Sequence, residues 1–249
     1  MRVPALLCAC LALAQCRVLT KSELFERIKC DRTDPAFDGC LLDAVRASLP
    51  DWMDGVPDLG IPPLDPLVLD SFRFDPVANP AVNFTLNLRN VRVTGLRGLI
   101  VDGLKVDPNN MSGRVKVRLP HIEMVSDYDV KGRFGMMEVD DSGHLEGEFD
   151  DIKIAAKGNL KPYKQDDGRT YLKVNKLRLD ITMGNANMKV ASKNKDFQST
   201  IDMGLELFNR NAAQMLGRAN AMFGEQAAMY AKRMADEVLS KLPLPDQML

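Results

Sequence analysis

Between Val82 and Val93 the chain alternates apolar and polar residues and then changes phase. Val82, Phe84, Leu86 and Leu88 occupy even positions, whereas Val91 and Val93 occupy odd ones. A strand points successive side chains to opposite faces, so a one-residue slip sends every later apolar side chain to the other face. The change recurs along the chain. Val115, Val117 and Leu119 give way after Pro120 to Ile122 and Met124. Leu145 and Phe149 give way after Asp150-Asp151 to Ile152 and Ile154, and Leu172 and Val174 give way after Asn175-Lys176 to Leu177, Leu179, Ile181 and Met183. Taken singly, each slip reads better as a loop between two short strands. Four alike favour β-bulges, in which one extra residue bends a strand and restores its original face. Bulges set side by side curl a long antiparallel sheet. Strands are therefore predicted from residue 67 to about residue 203.

Residues 205–242 follow a helical period instead. Phe208, Met215, Met222 and Met229 recur every seven residues, with Leu216, Phe223, Tyr230 and Met234 alongside. The spacing predicts one long helix, reaching ~50 Å at ~1.5 Å per residue, and Pro243 and Pro245 stop it. Met and Ala dominate the stripe rather than Leu and Ile, which argues against a coiled-coil seam. Upstream, residues 22–29 and 37–49 read as two short helices, with Ser22 capping the first and Pro50 limiting the second. Residues 51–66 form a proline-rich connection. The predicted fold class is α+β: a long, highly curved antiparallel sheet wrapped around a long C-terminal helix, with short N-terminal helices.

The N-terminus changes the picture of where this fold resides. Arg2 precedes a nearly continuous apolar run from Val3 to Ala14, too short for the roughly 20 residues a bilayer needs. With small residues at Ala12, Ala14 and Cys16, this reads as a secretory signal over residues 1–16 rather than a buried helix. Residues 17–249 are then one exported domain. Cys8, Cys10 and Cys16 fall in or beside the signal, which leaves Cys30 and Cys40 as an even pair. In an exported protein such a pair reads as a disulfide, contributing ~3 kcal/mol on a chain-entropy model. A metal site would need further ligands nearby. Two sequons begin at Asn83 and Asn110, and the first can carry glycan only if the polar face of its strand meets water.

Composition removes other classes. The 249 residues are 45% hydrophobic and 27% charged with a net charge of −1, so nothing in the total marks a nucleic-acid binder or a polybasic membrane anchor. His121 and His144 lie far apart and outside any metal-ligand spacing. There is no nucleophile elbow, dinucleotide fingerprint or P-loop. Asp140-Asp141 precedes a Ser142-Gly143 turn signal, and Gln165-Asp166-Asp167-Gly168 reads as a hairpin turn rather than a calcium loop. The expectation is a non-enzyme without a cofactor or metal. What remains is apolar volume. The chain has 14 methionines, whose flexible side chains suit an adaptable pocket. Burying ~400 Å² of a lipid would supply ~10 kcal/mol before the costs of association.

Several segments resemble the takeout and juvenile-hormone-binding proteins of arthropods. They are the exported N-terminus, the Cys30/Cys40 pair, Ile61–Leu67 (IPPLDPL), Leu88–Leu96 (LRNVRVTGL), Tyr128 before Gly132, and the helix opening at Leu207–Asn211 (LFNRN). The resemblance implies a tubular fold enclosing an apolar tunnel, and ligands such as terpenoids or fatty-acid-like molecules. No cysteine follows Cys40, where the better-known juvenile-hormone-binding proteins carry a second disulfide, so the resemblance is closer to the takeout branch. The functional expectation is a secreted carrier of one small hydrophobic ligand. Candidate lining residues on the strands are Phe72, Phe74, Phe84, Leu86, Tyr128, Phe134 and Met136; on the helix they are Met215, Met222, Phe223 and Tyr230. Tyr128 or Tyr230 could donate a hydrogen bond to a ligand oxygen. The alternative is a secreted, ligand-free interaction protein that binds a receptor. It predicts no cavity above ~100 Å³, against ~300–1,000 Å³ for a ligand site.

Overall fold

The computed structural model describes residues 30–74, 82–134 and 137–244. The strands are β1 (Leu67–Phe74), β2 (Val82–Thr94), β3 (Ile100–Asp107), β4 (Ser112–Phe134), β5 (Met137–Lys164), β6 (Thr170–Thr182) and β7 (Asn185–Ser192). They form one antiparallel sheet in the order β1-β2-β4-β5-β6. β2 and β3 run end to end along one side of β4, and β6 and β7 run end to end along the far side of β5. The Gln165–Gly168 turn joins β5 to β6, with Gly168 at φ 77° and its N–H donating to Gln165 O at 3.0 Å.

The phase changes have two structural forms. In β2 the register against β4 shifts between Arg89 and Arg92, and Asn90 takes the left-handed conformation that Asn tolerates, at φ 52°. In β6 the register against β5 shifts where Asn175 is the extra residue. These two are bulges. The slips in β4 and β5 are not: they face one another. Leu119 pairs with Ile152 and His121 with Asp150, so the register is unbroken, while Asp151 opposite Pro120 sits at φ 52°. Both strands turn over together at one point, and neither gains a residue on the other. The consequence is one continuous concave face. Val115 and Leu119 share it with Tyr128 and Val130, and Leu145 shares it with Ile152 and Ala156.

Three helices line this sheet among the described residues: α1 (Phe37–Asp54), α2 (Lys195–Arg210) and α3 (Ala212–Leu239). Each departs from its expected bounds. α1 continues through Pro50 to Asp54, because its last turn is held by packing. Met53 is buried, and Trp52 packs on a small core of Val56, Leu59 and Ile61 that Val238 and Leu242 close from the end of α3. The expected connection over residues 51–66 is thus a packed corner. Strands end at Ser192, and helix begins at Lys195, where the Asn194 side chain accepts from the Asp196 N–H at 3.1 Å. The single expected rod is two helices, parted at Asn211. The expected helix at 22–29, the signal at 1–16 and Met136 lie outside the described residues. Cys30 and Cys40 are joined, with Cα atoms 5.8 Å apart.

The sheet curls far enough that its two ends meet across a helix. α3 packs on β6, yet Tyr230 of α3 meets Phe72 of β1, with ring centroids 6.0 Å apart at 75°. Helix side chains also bond the backbone of three edge strands, β7, β6 and β3, whose edges would otherwise invite pairing with another chain. Gln198 and Asn209 of α2 bond the β7 backbone: Asn209 accepts from the Met188 N–H at 2.8 Å and donates to its carbonyl at 3.0 Å. On α3, Asp236 accepts from the Val174 N–H at 2.6 Å, and Lys232 donates to the Val174 carbonyl. Arg46 of α1 donates to the Val101 carbonyl of β3 at 2.7 Å, and Asp38 accepts from the Val106 N–H at 2.9 Å. One loose point is Gly204 in α2, where an added Cβ meets nothing within 4 Å. Gly204→Ala is expected to raise the unfolding free energy by about 1 kcal/mol, measured by denaturant melting.

Candidate ligand cavity

A cavity of about 560 Å³ lies between the concave face and α2. β2 supplies Phe84 and Leu86, β4 Tyr128 and Val130, β5 Val139, Asp141 and Leu145, and β7 Met188 and Val190. α2 closes it with Phe197, Ile201, Leu205 and Phe208, spaced at four, four and three residues so that one helical face points inward. The wall is almost wholly apolar; its polar members besides the Tyr128 hydroxyl are Thr200 of α2 and Asp141 of β5. Asp141 is 7% exposed. Its carboxylate accepts from the Tyr128 hydroxyl at 2.5 Å and from the Ser192 hydroxyl at 2.7 Å. Among the described residues no Lys, Arg or His forms a salt bridge with it. A carboxylate offers about four lone-pair positions, and two are taken, so Asp141 retains acceptor capacity toward the cavity. Burial first, and then the hydrogen bond to Asp141, push the Tyr128 phenol well above the ordinary tyrosine range. Tyr128 therefore stays a proton donor, and its donor is spent on Asp141. Two residues along the same face, Ser126 Oγ is fully buried and lacks a hydrogen-bond partner among the described residues.

A second cavity, about 410 Å³, lies at the other end of the same concave face, beneath Phe37 of α1. Leu104, Val115, Ala156, Leu160, Val174 and Leu177 contribute apolar wall, with Arg32 and Arg114 also bordering it. Without the joint turnover at Pro120 and Asp151, Val115 and Tyr128 would lie on opposite faces of β4, and the two cavities on opposite sides of the sheet.

Of the residues singled out in the sequence, Phe84, Leu86 and Tyr128 border the first cavity. Phe74 is buried against Phe84, with centroids 6.2 Å apart. Phe72 packs on Tyr230 and beside Leu88, in the core next to the cavity. Tyr230 thus meets a ring, and it borders neither cavity. Met215 is a correction: it is 43% exposed. The Met stripe faces outward at Met215 and Met229 because α3 packs through small residues. Ala212, Gly224 and Ala228 are buried, and a Cβ on Gly224 would collide with the Leu179 carbonyl oxygen of β6. The side chains of Phe134, Met222 and Phe223 lie outside the described residues.

The turn expected at Ser142-Gly143, just after Asp141, is also corrected, since β5 runs unbroken through both residues. A signal did exist. Asp141 shares odd parity with Val139 and Leu145, which puts it on the apolar face. Among the described residues no group of His, Cys, Asp or Glu is placed to hold a metal ion.

A family model for haemolymph juvenile hormone binding protein matches residues 6–249. The chain belongs to the haemolymph juvenile hormone binding protein family. Proteins of this family bind hydrophobic ligands. The chain is 19% identical over 212 residues to the circadian clock-controlled protein daywake of Drosophila melanogaster, covering 83% of this chain and 82% of that protein. It superposes on the crystal structure of Takeout 1 from Epiphyas postvittana with a TM-score of 0.66 at 23% identity, covering 87% of this chain and 96% of that one. That likeness shows the fold, a curved antiparallel sheet with a C-terminal helix.

Proposed function

We propose that this member of the haemolymph juvenile hormone binding protein family is a secreted carrier that holds one small lipophilic molecule under α2. The observation that carries the reading is the cavity of about 560 Å³, lined by apolar side chains apart from Tyr128, Thr200 and the buried Asp141. Its size falls within the ~300–1,000 Å³ of ligand sites. A ligand-free interaction protein would have no use for a hollow that size, and its predicted limit of ~100 Å³ is exceeded at both ends of the face. Export is supported by the N-terminal apolar run and by both sequons, since Asn83 and Asn110 are exposed. No described helix is long and apolar enough to cross a membrane.

The charged group at the wall narrows the ligand class. Asp141 accepts hydrogen bonds and carries negative charge, so it suits a neutral ligand with a hydroxyl donor, such as a terpenoid alcohol. A fatty-acid carboxylate would be repelled. Mass spectrometry of an organic extract of the native secreted protein tests the carrier reading. A stoichiometric neutral lipid is the expected result. Protein that is consistently empty, and that also fails to take up fluorescent lipids, overturns it.

A further inference from the structure

The outer, convex face of the sheet carries a row of like charges. Lys105 of β3 pairs with Arg114 of β4, Arg114 with Lys157 of β5, and Lys157 with Arg178 of β6. Four neighbouring strands thus place a cation at the same level. A second pairing beside it sets Arg118 opposite Lys153, with Lys116 between the two rows. All of these side chains are exposed. Like charges directly opposite one another destabilise a sheet. Two are relieved, Arg118 by Asp102 at 2.7 Å and Arg178 by Asp180 at 3.3 Å. Among the described residues Lys105, Arg114, Lys116, Lys153 and Lys157 form no salt bridge. The nearby acids Asp38 and Asp107 are bonded to the Val106 N–H and to Asn110. Beyond the turnover at Pro120 and Asp151 the same outer face is mixed, with Glu123, Asp127, Glu146, Glu148 and Asp150 beside Arg89, Arg92 and Lys189. There the like-charge pair Glu123 and Glu148 has relief nearby, since His121 lies 3.5 Å from Glu123. A net charge of −1 conceals this row.

We propose that the basic row docks the protein on anionic phospholipid surfaces. At ~4.8 Å per strand the row spans ~14 Å, too wide for one small anion and suited to an array of them. Lys105, Arg114 and Lys157 line a shallow depression at the rim of the sheet together with Asp38 and Asp107, and Val106, Ser112, Gly113 and Arg114 there also border the apolar cavity under α1. An anionic bilayer meets both features, headgroups on the row and acyl chains at the cavity; an acidic protein or a sulfated polysaccharide meets only the first. The mixed-charge half of the face offers no such row of cations, so the basic end is the one that meets the surface. The choice of lipid over other polyanions rests on the carrier reading, whereas the docking does not require a bound ligand.

The test is co-sedimentation of the full secreted protein with phosphatidylcholine vesicles, with and without about 30% phosphatidylserine, at low salt and at about 0.15 M. Binding at least tenfold tighter to the anionic vesicles, weakened by salt, is expected. The combined Lys105→Gln, Arg114→Gln and Lys157→Gln variant should lose about a hundredfold of that binding. It should also melt no lower than the parent, because it relieves repulsion. Lys157→Gln alone, flanked by cations on both sides, should show the same two effects in smaller measure. Equal binding to both vesicle types, or vesicle binding unchanged in the variants, overturns the proposal. So does retention on heparin without any binding to anionic vesicles, which would assign the row to a polysaccharide. A bound lipid recovered from protein that ignores vesicles would leave the carrier reading standing and this one refuted.

Discussion

Asp141→Asn is expected to abolish the protein's discrimination between a long-chain alcohol and the fatty acid of equal length. Asp141 is buried in an apolar wall, with its oxygens held by Tyr128 and Ser192 and no cation at salt-bridge distance among the described residues. A second carboxylate can enter beside it only if one of the two takes up a proton. An ordinary fatty-acid carboxyl has a pKa of ~4.3, so near pH 7 that proton costs on the order of 3 kcal/mol, roughly a hundredfold in affinity. An alcohol incurs no such cost and can donate to the free lone pairs of Asp141. Asparagine keeps an oxygen for the Tyr128 hydroxyl, and its amide can donate to the Ser192 oxygen, so the wall is preserved while the charge is gone. Displacement of a fluorescent lipid by each competitor measures the effect. The parent should favour the alcohol by about a hundredfold, and Asp141→Asn should bring the two within about threefold. The sign with pH follows from the same proton. As pH falls, the acid should gain affinity for the parent, and the alcohol should not. A parent that binds acid and alcohol alike near pH 7 removes Asp141 from ligand recognition.

Much of the sheet was legible because a strand repeats every two residues, and the repeat survives each interruption. The phase changes at Asn90 and at Asn175 mark bulges, and left-handed Asn90 is one of the few residue types that tolerates that backbone. What a single sequence does not contain is pairing. The slips at Pro120 and Asp151 look like two more bulges until the register shows them opposite one another, where they cancel. The same lack hid the basic row: Lys105, Arg114, Lys157 and Arg178 are scattered over 74 positions and become neighbours only through strand pairing. Asp141 was hidden for a different reason. Ser142-Gly143 has the composition of a turn, yet Gly143 serves close packing within the strand, and the parity of Val139, Asp141 and Leu145 carried the correct face.

The helices show how a period can be right and its face wrong. The seven-residue repeat of Phe208, Met215, Met222 and Met229 locates helix, and large apolar residues ordinarily mark the buried side. α3 instead approaches β6 closely through Gly224 and Ala228, which leaves no depth for Met215 or Met229. The inward face of α2 was written as clearly, in Phe197, Ile201, Leu205 and Phe208, but strands were expected to continue to about residue 203 and the Asn194 cap was passed over. That helix makes one wall of the cavity. The family resemblance supplied the tube, while the arrangement of its polar contact came only from the folded chain.

Gly143→Val is expected to cost about 3 kcal/mol of stability and to disable the cavity at the same time. Gly143 lies within β5, opposite Tyr128 on β4 and Ser192 on β7. A Cβ there would overlap the Ala191 carbonyl oxygen and approach Tyr128 Cε1 to 3.0 Å. The carbonyl belongs to a paired strand and cannot swing aside, so β7 must move away from β5. The ring of Tyr128 must lift with it, and its hydroxyl then leaves Asp141 with an unpaired lone pair in an apolar wall. Both costs fall on the same few residues, so they reinforce one another. For a domain of this size the loss lowers the melting temperature by roughly 10 °C. Tyrosine near-ultraviolet circular dichroism reports the ring, and lipid uptake reports the cavity. Gly103→Ala is the matched control, because a Cβ at that strand position meets nothing within 4 Å and should change stability by less than about 0.5 kcal/mol. If Gly143→Val melts with the parent, the close approach of β5 to β7 and the seating of Tyr128 over it are wrong, and the polar end of the cavity falls with them.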